Sequence, residues 1–367
     1  MNLQAKKIAQ NLLLIMFGLL IGFLLLEVGL RLAVFVTPGI PPSPKLGEFN
    51  EELGWSYIPS VDGWEQKPAF FKDSGVVLPP RLVDININSF GFRDREWVLD
   101  DDKTRIAFVG DSHIFGHGID FGDRASDLIQ TEQCQSLNFG VSGYSTDQEL
   151  LLARKTIFPM NADVIILGLF LGNDVEDNAV PFSANTTTTK PYFVLENQEL
   201  VLKNYPISKI GRESDERQTH FLLGLKRWLN QNIYSYSFIV SLLRSIPLTN
   251  NFLVGVEKGR DFTPDLEITV ALVKQFNEEA IANNSELIVI FIPAPNQVRK
   301  SDDKRNPWIS YLTESFEQNN ITYIDLLSEF KKNSDQYFYF AFDEHLDENG
   351  NKKMAELLLQ QPVLSKC

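Results

Sequence analysis

An α/β fold built on a doubly wound, five-stranded parallel sheet is what this sequence predicts, and two observations carry that reading. From Arg105 onward, short apolar runs alternate with amphipathic stretches of helical length, which is the pattern of βαβ units. One of those runs, Asp163-Val-Ile-Ile-Leu-Gly-Leu-Phe170, is apolar throughout after its first residue, as a strand covered on both faces must be. That strand is therefore central, and helices on both sides of the sheet make three layers.

The elements follow in order. Strands are expected at residues 106–109, 136–139, 163–170, 287–292 and 322–324, with helices around 124–133, 146–158, 264–283, 308–317 and 349–360. Between residues 178 and 262 the alternation is interrupted by a stretch long enough to be an inserted cap. It contains a hairpin pattern at 192–202, helical patterns at 221–229 and 236–243, and the aromatics Trp228, Tyr234, Tyr236 and Phe238, read as packing the insertion onto the sheet, with stacking on a sugar as the alternative.

Residues 37–103 read as a proline-rich spacer followed by an irregular layer of interleaved aromatics, Pro and Gly. Ahead of them, residues 12–26 carry no charge, and the run continues past Glu27 and Arg31 to Val36. As a helix, residues 12–36 reach ~37 Å, enough to cross a bilayer with tilt. Lys6 and Lys7 precede the run, so the positive-inside rule holds residues 1–10 in the cytoplasm, makes 11–36 the transmembrane helix and sends 104–367 outward. A cleaved signal peptide is the alternative, although no small-x-small site is evident before Pro38.

Composition excludes some classes. A formal charge of −14 and the absence of clustered Lys and Arg disfavour nucleic acid as a partner. Cys134 and Cys367 are too few for a disulfide scaffold and lack the spacing of a metal knuckle. His113 and His117 are four apart, but Gly116 and Gly118 make a poor helix and no third ligand is evident, so both read as pocket-wall residues. Asp347, Asn349, Gly350 and Glu356 fall on calcium-loop spacing, yet His345 would occupy its first position and is a poor ligand for a hard cation. No metal and no cofactor are expected.

The chemistry lies in the loops that leave the strands. The run Ile106-Ala-Phe-Val-Gly-Asp-Ser-His113 ends a buried strand at Gly110 and delivers Ser112 to the carboxyl edge of the sheet, where it is either a nucleophile or a helix cap. After the second strand comes Asn138-Phe-Gly-Val-Ser-Gly-Tyr144, whose glycines permit a backbone N–H to face an anion. After the third comes Leu171-Gly-Asn-Asp174. A nucleophilic serine needs a base, and of four histidines His345, in Phe342-Asp-Glu-His-Leu346, lies on the same sheet edge. Asp343, two residues before it, shares its face only if that segment is extended.

These four blocks, in this order, resemble the SGNH or GDSL hydrolase family from about Arg105 to the end, with the insertion unmatched. The resemblance implies a flavodoxin-like sheet of order 2-1-3-4-5, Ser112 as nucleophile, His345 as base and Asp343 orienting it. It also implies an oxyanion hole made by the backbone N–H groups of Ser112 and Gly143 and the side-chain amide of Asn173. The family usually spaces its last block Asp-x-x-His, whereas this chain has Asp343-Glu344-His345; of Gly140 and Gly143, the Ser-Gly pair aligns Gly143.

That strand order would make the helix after the first strand and the final helix neighbours, so Cys134 and Cys367 could bond in an oxidising compartment. The expectation is a membrane-anchored, extracytoplasmic serine esterase acting on acyl esters, with O-acetyl groups on cell-surface polysaccharide as the substrate the resemblance suggests. An O-acyltransferase using the same triad and a catalytically silent glycan-binding scaffold are the alternatives.

Overall fold

The computed structural model describes residues 3–34, 45–67, 70–71, 77–78, 81–182, 189–207, 233, 235, 261–300, 303, 305–333, 336–341 and 343–367. Its centre is a parallel sheet of Thr104–Val109, Cys134–Asn138, Val164–Phe170, Glu286–Ile292 and Thr322–Asp325, hydrogen-bonded in the spatial order second, first, third, fourth, fifth. Both strand positions and strand order match the expectation. Because the strands all run one way, the chain leaves each of them at the same edge.

Alternation along each strand sends side chains to opposite faces and creates two cores. Ala107, Val109, Ile165, Leu167, Val289 and Phe291 share one with Leu150, Leu272, Phe276 and Phe316. Ile106, Phe108, Val164, Ile166, Ile288 and Ile290 share the other with Ile129, Phe330, Met354 and Leu358. Each fully buried aliphatic side chain contributes roughly 1.5–3 kcal/mol.

The helices depart from expectation where local breakers act. The predicted helix 146–158 is α-helical over Thr146–Leu152, widens to a π turn at Ala153–Ile157 and tightens to 3-10 at Phe158–Met160. Pro159 ends the regular ladder because it has no N–H to donate. Short helices that went unpredicted include Ser112–Phe115, Asp174–Asp177, Pro295–Arg299, and Leu326–Lys332, the last capped by Asp325 Oδ1 accepting from Leu327 N at 2.8 Å.

The N-terminal layer is more ordered than its composition suggests. Among the described residues it contains three antiparallel pairs: Gly47–Asn50 with Gly54–Tyr57, Val61–Lys67 with Arg81–Ile87, and Phe70–Phe71 with Val77–Leu78. In Arg81–Ile87 the buried residues are Val83, Ile85 and Ile87, a period-2 pattern with the exposed Asp84 and Asn86 between them.

The chain forms two units, Met1–Pro41 with Ile210–Arg260, and Pro42–Lys209 with Asp261–Cys367. The expected insertion is thus divided between them. Its hairpin, Tyr192–Glu196 with Glu199–Lys203, belongs to the sheet unit, where Phe193 is buried; Asn197 and Gln198 take positive φ in the tight turn. The helical patterns at 221–229 and 236–243, His220, the four insertion aromatics and the 37–44 spacer lie outside the described residues.

In the first unit one helix runs Leu3–Val34, starting earlier than the expected span. Among the described residues no helix is long and apolar enough to cross a membrane, so the fold does not establish the expected anchor. Glu27 Oε2 accepts from Ser235 N at 2.9 Å and from Ser235 Oγ at 2.7 Å.

Cys134 and Cys367 form a disulfide with Cα atoms 5.4 Å apart, at the sheet edge opposite the strand exits. The helices Ala125–Ile129 and Glu348–Leu358 are neighbours there, as the strand order implied, joined also by Ala125 N donating to Asn351 Oδ1 at 3.1 Å. A bridge of this kind typically contributes ~2–4 kcal/mol.

Candidate active site

The first strand turns into the helix Ser112–Phe115 within two residues, and glycines make the turn possible. A Cβ on Gly110 would sit 2.4 Å from Ile114 Cγ1, and one on Gly168, in the neighbouring strand, 2.6 Å from the same atom. From the loop after the second strand, a Cβ on Gly140 would meet Phe115 N at 2.2 Å. The serine helix therefore rests in a trough of three glycines from three strand segments, with Ile114 as its keel. Asp111 Oδ1 caps it by accepting from His113 N at 2.8 Å, and Gly116, in the left-handed region at φ 80°, ends it.

The opposite wall comes from the end of the chain. Phe340 N donates to His345 O at 3.1 Å and Asp347 N to Phe338 O at 3.0 Å, closing the loop before the final helix. Asp347 Oδ1 caps that helix through Gly350 N at 3.0 Å. Asp343 Oδ1 accepts from His345 N at 2.8 Å and from His345 Nδ1 at 2.5 Å, so one carboxylate oxygen both shapes the turn and orients the ring. His345 Nε2 then lies 2.8 Å from Ser112 Oγ. The two-residue spacing is accommodated by this turn, which brings ring and carboxylate to one side.

Gly143 and Asn173 occupy the exits of the second and third strands at this same edge. Gly143 has φ 81° and sits third in a turn closed by Tyr144 N donating to Val141 O at 3.1 Å, so the two glycines of the block divide their work: Gly140 permits close packing and Gly143 permits the turn. Asn173 begins the short helix Asp174–Asp177, and its Nδ2 donates to Asp177 Oδ2 at 2.9 Å, leaving the second amide hydrogen for another acceptor.

Electrostatics separate His113 from His117. Burial, and next the nearby His345, push His113 well below the usual imidazole range, so it is neutral; its ring lies 4.2 Å from Phe170 and 5.1 Å from His345, centroid to centroid. Burial also lowers His117, but the hydrogen bond and charge of Glu65 outweigh it and the net shift is upward; Nδ1 is 2.9 Å from Glu65 Oε2, and the ring is 4.4 Å from that of His345. Burial alone would raise Asp343, yet the hydrogen bonds and charge of His345 hold its carboxyl at about 2, so it stays ionised.

Behind these groups lie acids of the opposite character. Burial pushes Asp111 up to about 6, and burial together with the charge of Asp111 pushes Glu149 and Asp174 well above the carboxylate range.

His117, Asp343 and His345 place ligand atoms within 4.8 Å of one another, as do Asp120, Asp123 and Glu348. The first group is already engaged by hydrogen bonds to Ser112 and Glu65, and the second faces Lys67 and Arg81. Neither calls for an ion.

Several residues around the site escaped the sequence reading. Glu65, besides holding His117, accepts from Gly118 N at 2.7 Å. Arg93 donates to Phe115 O at 3.3 Å and Gly116 O at 2.5 Å, tying down the end of the serine helix. Trp55 and Tyr57 contact the loop of Gly143. All come from the N-terminal layer, and nothing local in the sequence marks them.

No family model and no curated protein matches the chain. Solved structures similar to it include a GDSL-like lipase from Bacteroides thetaiotaomicron (13% identity, 73% of this chain and 91% of that one, TM-score 0.40). Others are a lipase/acylhydrolase from Enterococcus faecalis (12%, 71% and 96%, TM-score 0.40) and a catalytic mutant of an acetylxylan esterase from Geobacillus stearothermophilus (12%, 70% and 93%, TM-score 0.39). Similarities this distant carry no argument about chemistry, which rests on the geometry above.

Two outcomes follow. Gly168→Ala is expected to cost ~1–3 kcal/mol by driving a methyl into Ile114, and Gly168→Ala/Ile114→Ala to be less destabilised than the two single losses added together. Denaturant melts of the four proteins check this, and simple additivity would show that the two side chains do not collide.

The second concerns Glu149, whose oxygens have no hydrogen-bond partner among the described residues. A carboxyl that keeps its proton above its unfolded value binds more protons folded than unfolded, so its contribution lowers stability as pH rises out of the ordinary carboxylate range. Glu149→Gln is therefore expected to raise the melting temperature relative to the parent more at about pH 8 than at about pH 5. An equal offset at both values would mean that Glu149 titrates normally.

Proposed function

We propose that the protein is a serine esterase that acylates Ser112 and hydrolyses the acyl-enzyme. The observation that carries this is the unbroken hydrogen-bonded series from Ser112 Oγ to His345 Nε2, at 2.8 Å, and from His345 Nδ1 to Asp343 Oδ1, at 2.5 Å. In this reading His345 takes the hydroxyl proton as Ser112 attacks the ester carbonyl, then delivers it to the leaving alcohol. Ionised Asp343 stabilises the imidazolium formed between those events. The N–H groups of Ser112 and Gly143 and the free amide hydrogen of Asn173 receive the oxyanion, each contributing on the order of 3 kcal/mol to lowering the barrier. Water then repeats the attack with His345 as base.

The substrate we propose is an O-acetyl or related ester on cell-surface polysaccharide, met by a catalytic unit held outside the cytoplasm by the N-terminal helix. Support for that location comes from the disulfide, which persists in oxidising compartments, and from the exposed Leu13, Leu14, Ile15, Met16 and Phe17 on the N-terminal helix, apolar surface that water does not favour. Lys6 and Lys7 ahead of it fit an N-terminus kept inside.

Ser112→Ala and His345→Ala are expected to lower hydrolysis of 4-nitrophenyl acetate by at least ~10³-fold with little change in melting temperature, and Asp343→Ala by less. Asn173→Ala is expected to lower kcat with KM nearly unchanged, because its donor is aimed at charge that develops in the transition state. A fluorophosphonate probe is expected to label Ser112. Undiminished turnover by Ser112→Ala would overturn the mechanism, whereas acetate released from an acetylated glycan only when an acceptor sugar is present would make the protein a transferase.

For the location, the full chain is expected to sediment with membranes. Recovery of the intact chain in the soluble fraction at low and high salt would count against the anchor.

A further inference from the structure

The peptide that joins Ser142 to Gly143 is held from outside the catalytic sheet. Trp55 Nε1 donates to Ser142 O at 3.0 Å, Tyr57 Oη accepts from Ser142 N at 3.2 Å, and Tyr144 Oη donates to Trp55 O at 2.5 Å. The Trp55 and Tyr144 rings meet edge to face at 5.3 Å. Both Trp55 and Tyr57 stand on the strand Gly54–Tyr57, which is itself docked by Gln148 Nε2 donating to Leu53 O at 2.7 Å.

The geometry of a peptide gives these contacts a consequence. In a trans peptide the C=O of one residue and the N–H of the next point in opposite directions within one plane. A bond that aims Ser142 C=O at the indole therefore aims Gly143 N–H the other way. This peptide is also the one in the loop most able to turn over, because it lies between the second and third residues of a four-residue turn and the third is glycine at φ 81°. Turning it over would put a carbonyl oxygen where the N–H belongs and set a partial negative charge against a developing oxyanion.

We propose that Trp55 is a positioning residue for the oxyanion hole, holding the Ser142–Gly143 peptide in the orientation that presents Gly143 N–H to the reacting carbonyl, with Tyr57 bracing the preceding peptide. The inference rests on the esterase reading above and adds to it a part of the machinery supplied by the N-terminal layer. Indole donation to the carbonyl also polarises the peptide and makes its N–H a better donor.

The test compares the full-length parent, Trp55→Phe and Tyr57→Phe, each normalised to active sites titrated with a fluorophosphonate. Substrates are 4-nitrophenyl acetate and its thiono analogue, whose sulfur accepts hydrogen bonds poorly and so gains less from an intact hole. Trp55→Phe is expected to lower kcat on the oxo ester about tenfold per titrated site with KM within about twofold. The ratio of oxo to thiono rates is expected to fall with it. Tyr57→Phe, which removes one oxygen and keeps the ring, is expected to move both quantities the same way by a smaller factor, and it carries the test if Trp55→Phe yields no titratable sites.

Unchanged kcat per site, or a raised KM with kcat intact, would overturn the role of Trp55 while leaving the esterase reading standing. An equal fall on both esters would do the same, since it marks a general loss of structure. A parent protein that is neither labelled nor active would instead remove the esterase reading, and this inference with it.

Discussion

The close seating of Ile114 against glycine is the constraint on which the site depends. A side chain on Gly110 or Gly168 would collide with Ile114, and one on Gly140 with the backbone of Phe115, so the serine helix approaches three strand segments more closely than any alanine would permit. That approach sets the height of Ser112 above the sheet edge. The other connections reach the same short helix: Asn138 Nδ2 donates to Ile114 O at 2.7 Å, and Arg93 holds its last carbonyls. A half-buried hydroxyl whose helix is seated this closely is held within reach of a histidine contributed from 233 residues away in sequence.

Charge is distributed around this seat in a consistent way. One carboxylate, Asp343, is kept ionised by hydrogen bonds and positive charge, whereas three others close to the reacting groups are raised by burial. His113 is likewise kept neutral. The effect is that ionised Asp343 stands beside His345, while burial pushes the deeper Glu149 and Asp174 toward their protonated forms. Glu65 extends the pattern by hydrogen-bonding His117, which lies against the His345 ring.

How much of this was legible follows from how far apart the cooperating residues lie. The sheet was readable to within a residue or two because an apolar strand between breakers is a local pattern, and the candidate triad because only a few residue types can act as nucleophile, base and orienting acid. Gly168 was visible but passed as one more small apolar residue, although a glycine inside a strand signals close approach. The N-terminal layer was illegible for a different reason. Trp55 meets Ser142 across 87 residues and Glu65 meets Gly118 across 53, and no periodicity or motif encodes a partner at such a distance. The alternating burial of Arg81–Ile87 could have been found, since Leu82-Val83-Asp84-Ile85-Asn86-Ile87 largely alternates apolar with polar.

The bond between Cys134 and Cys367 joins points 233 residues apart, with Ser112 outside the ring it closes and His345 inside. A protease that cuts the chain once anywhere between those cysteines cannot separate the piece bearing the nucleophile from the piece bearing the base. The nicked molecule stays one covalent body. The bridge thus protects the wholeness of the site after a single cut, a service distinct from any gain in melting temperature.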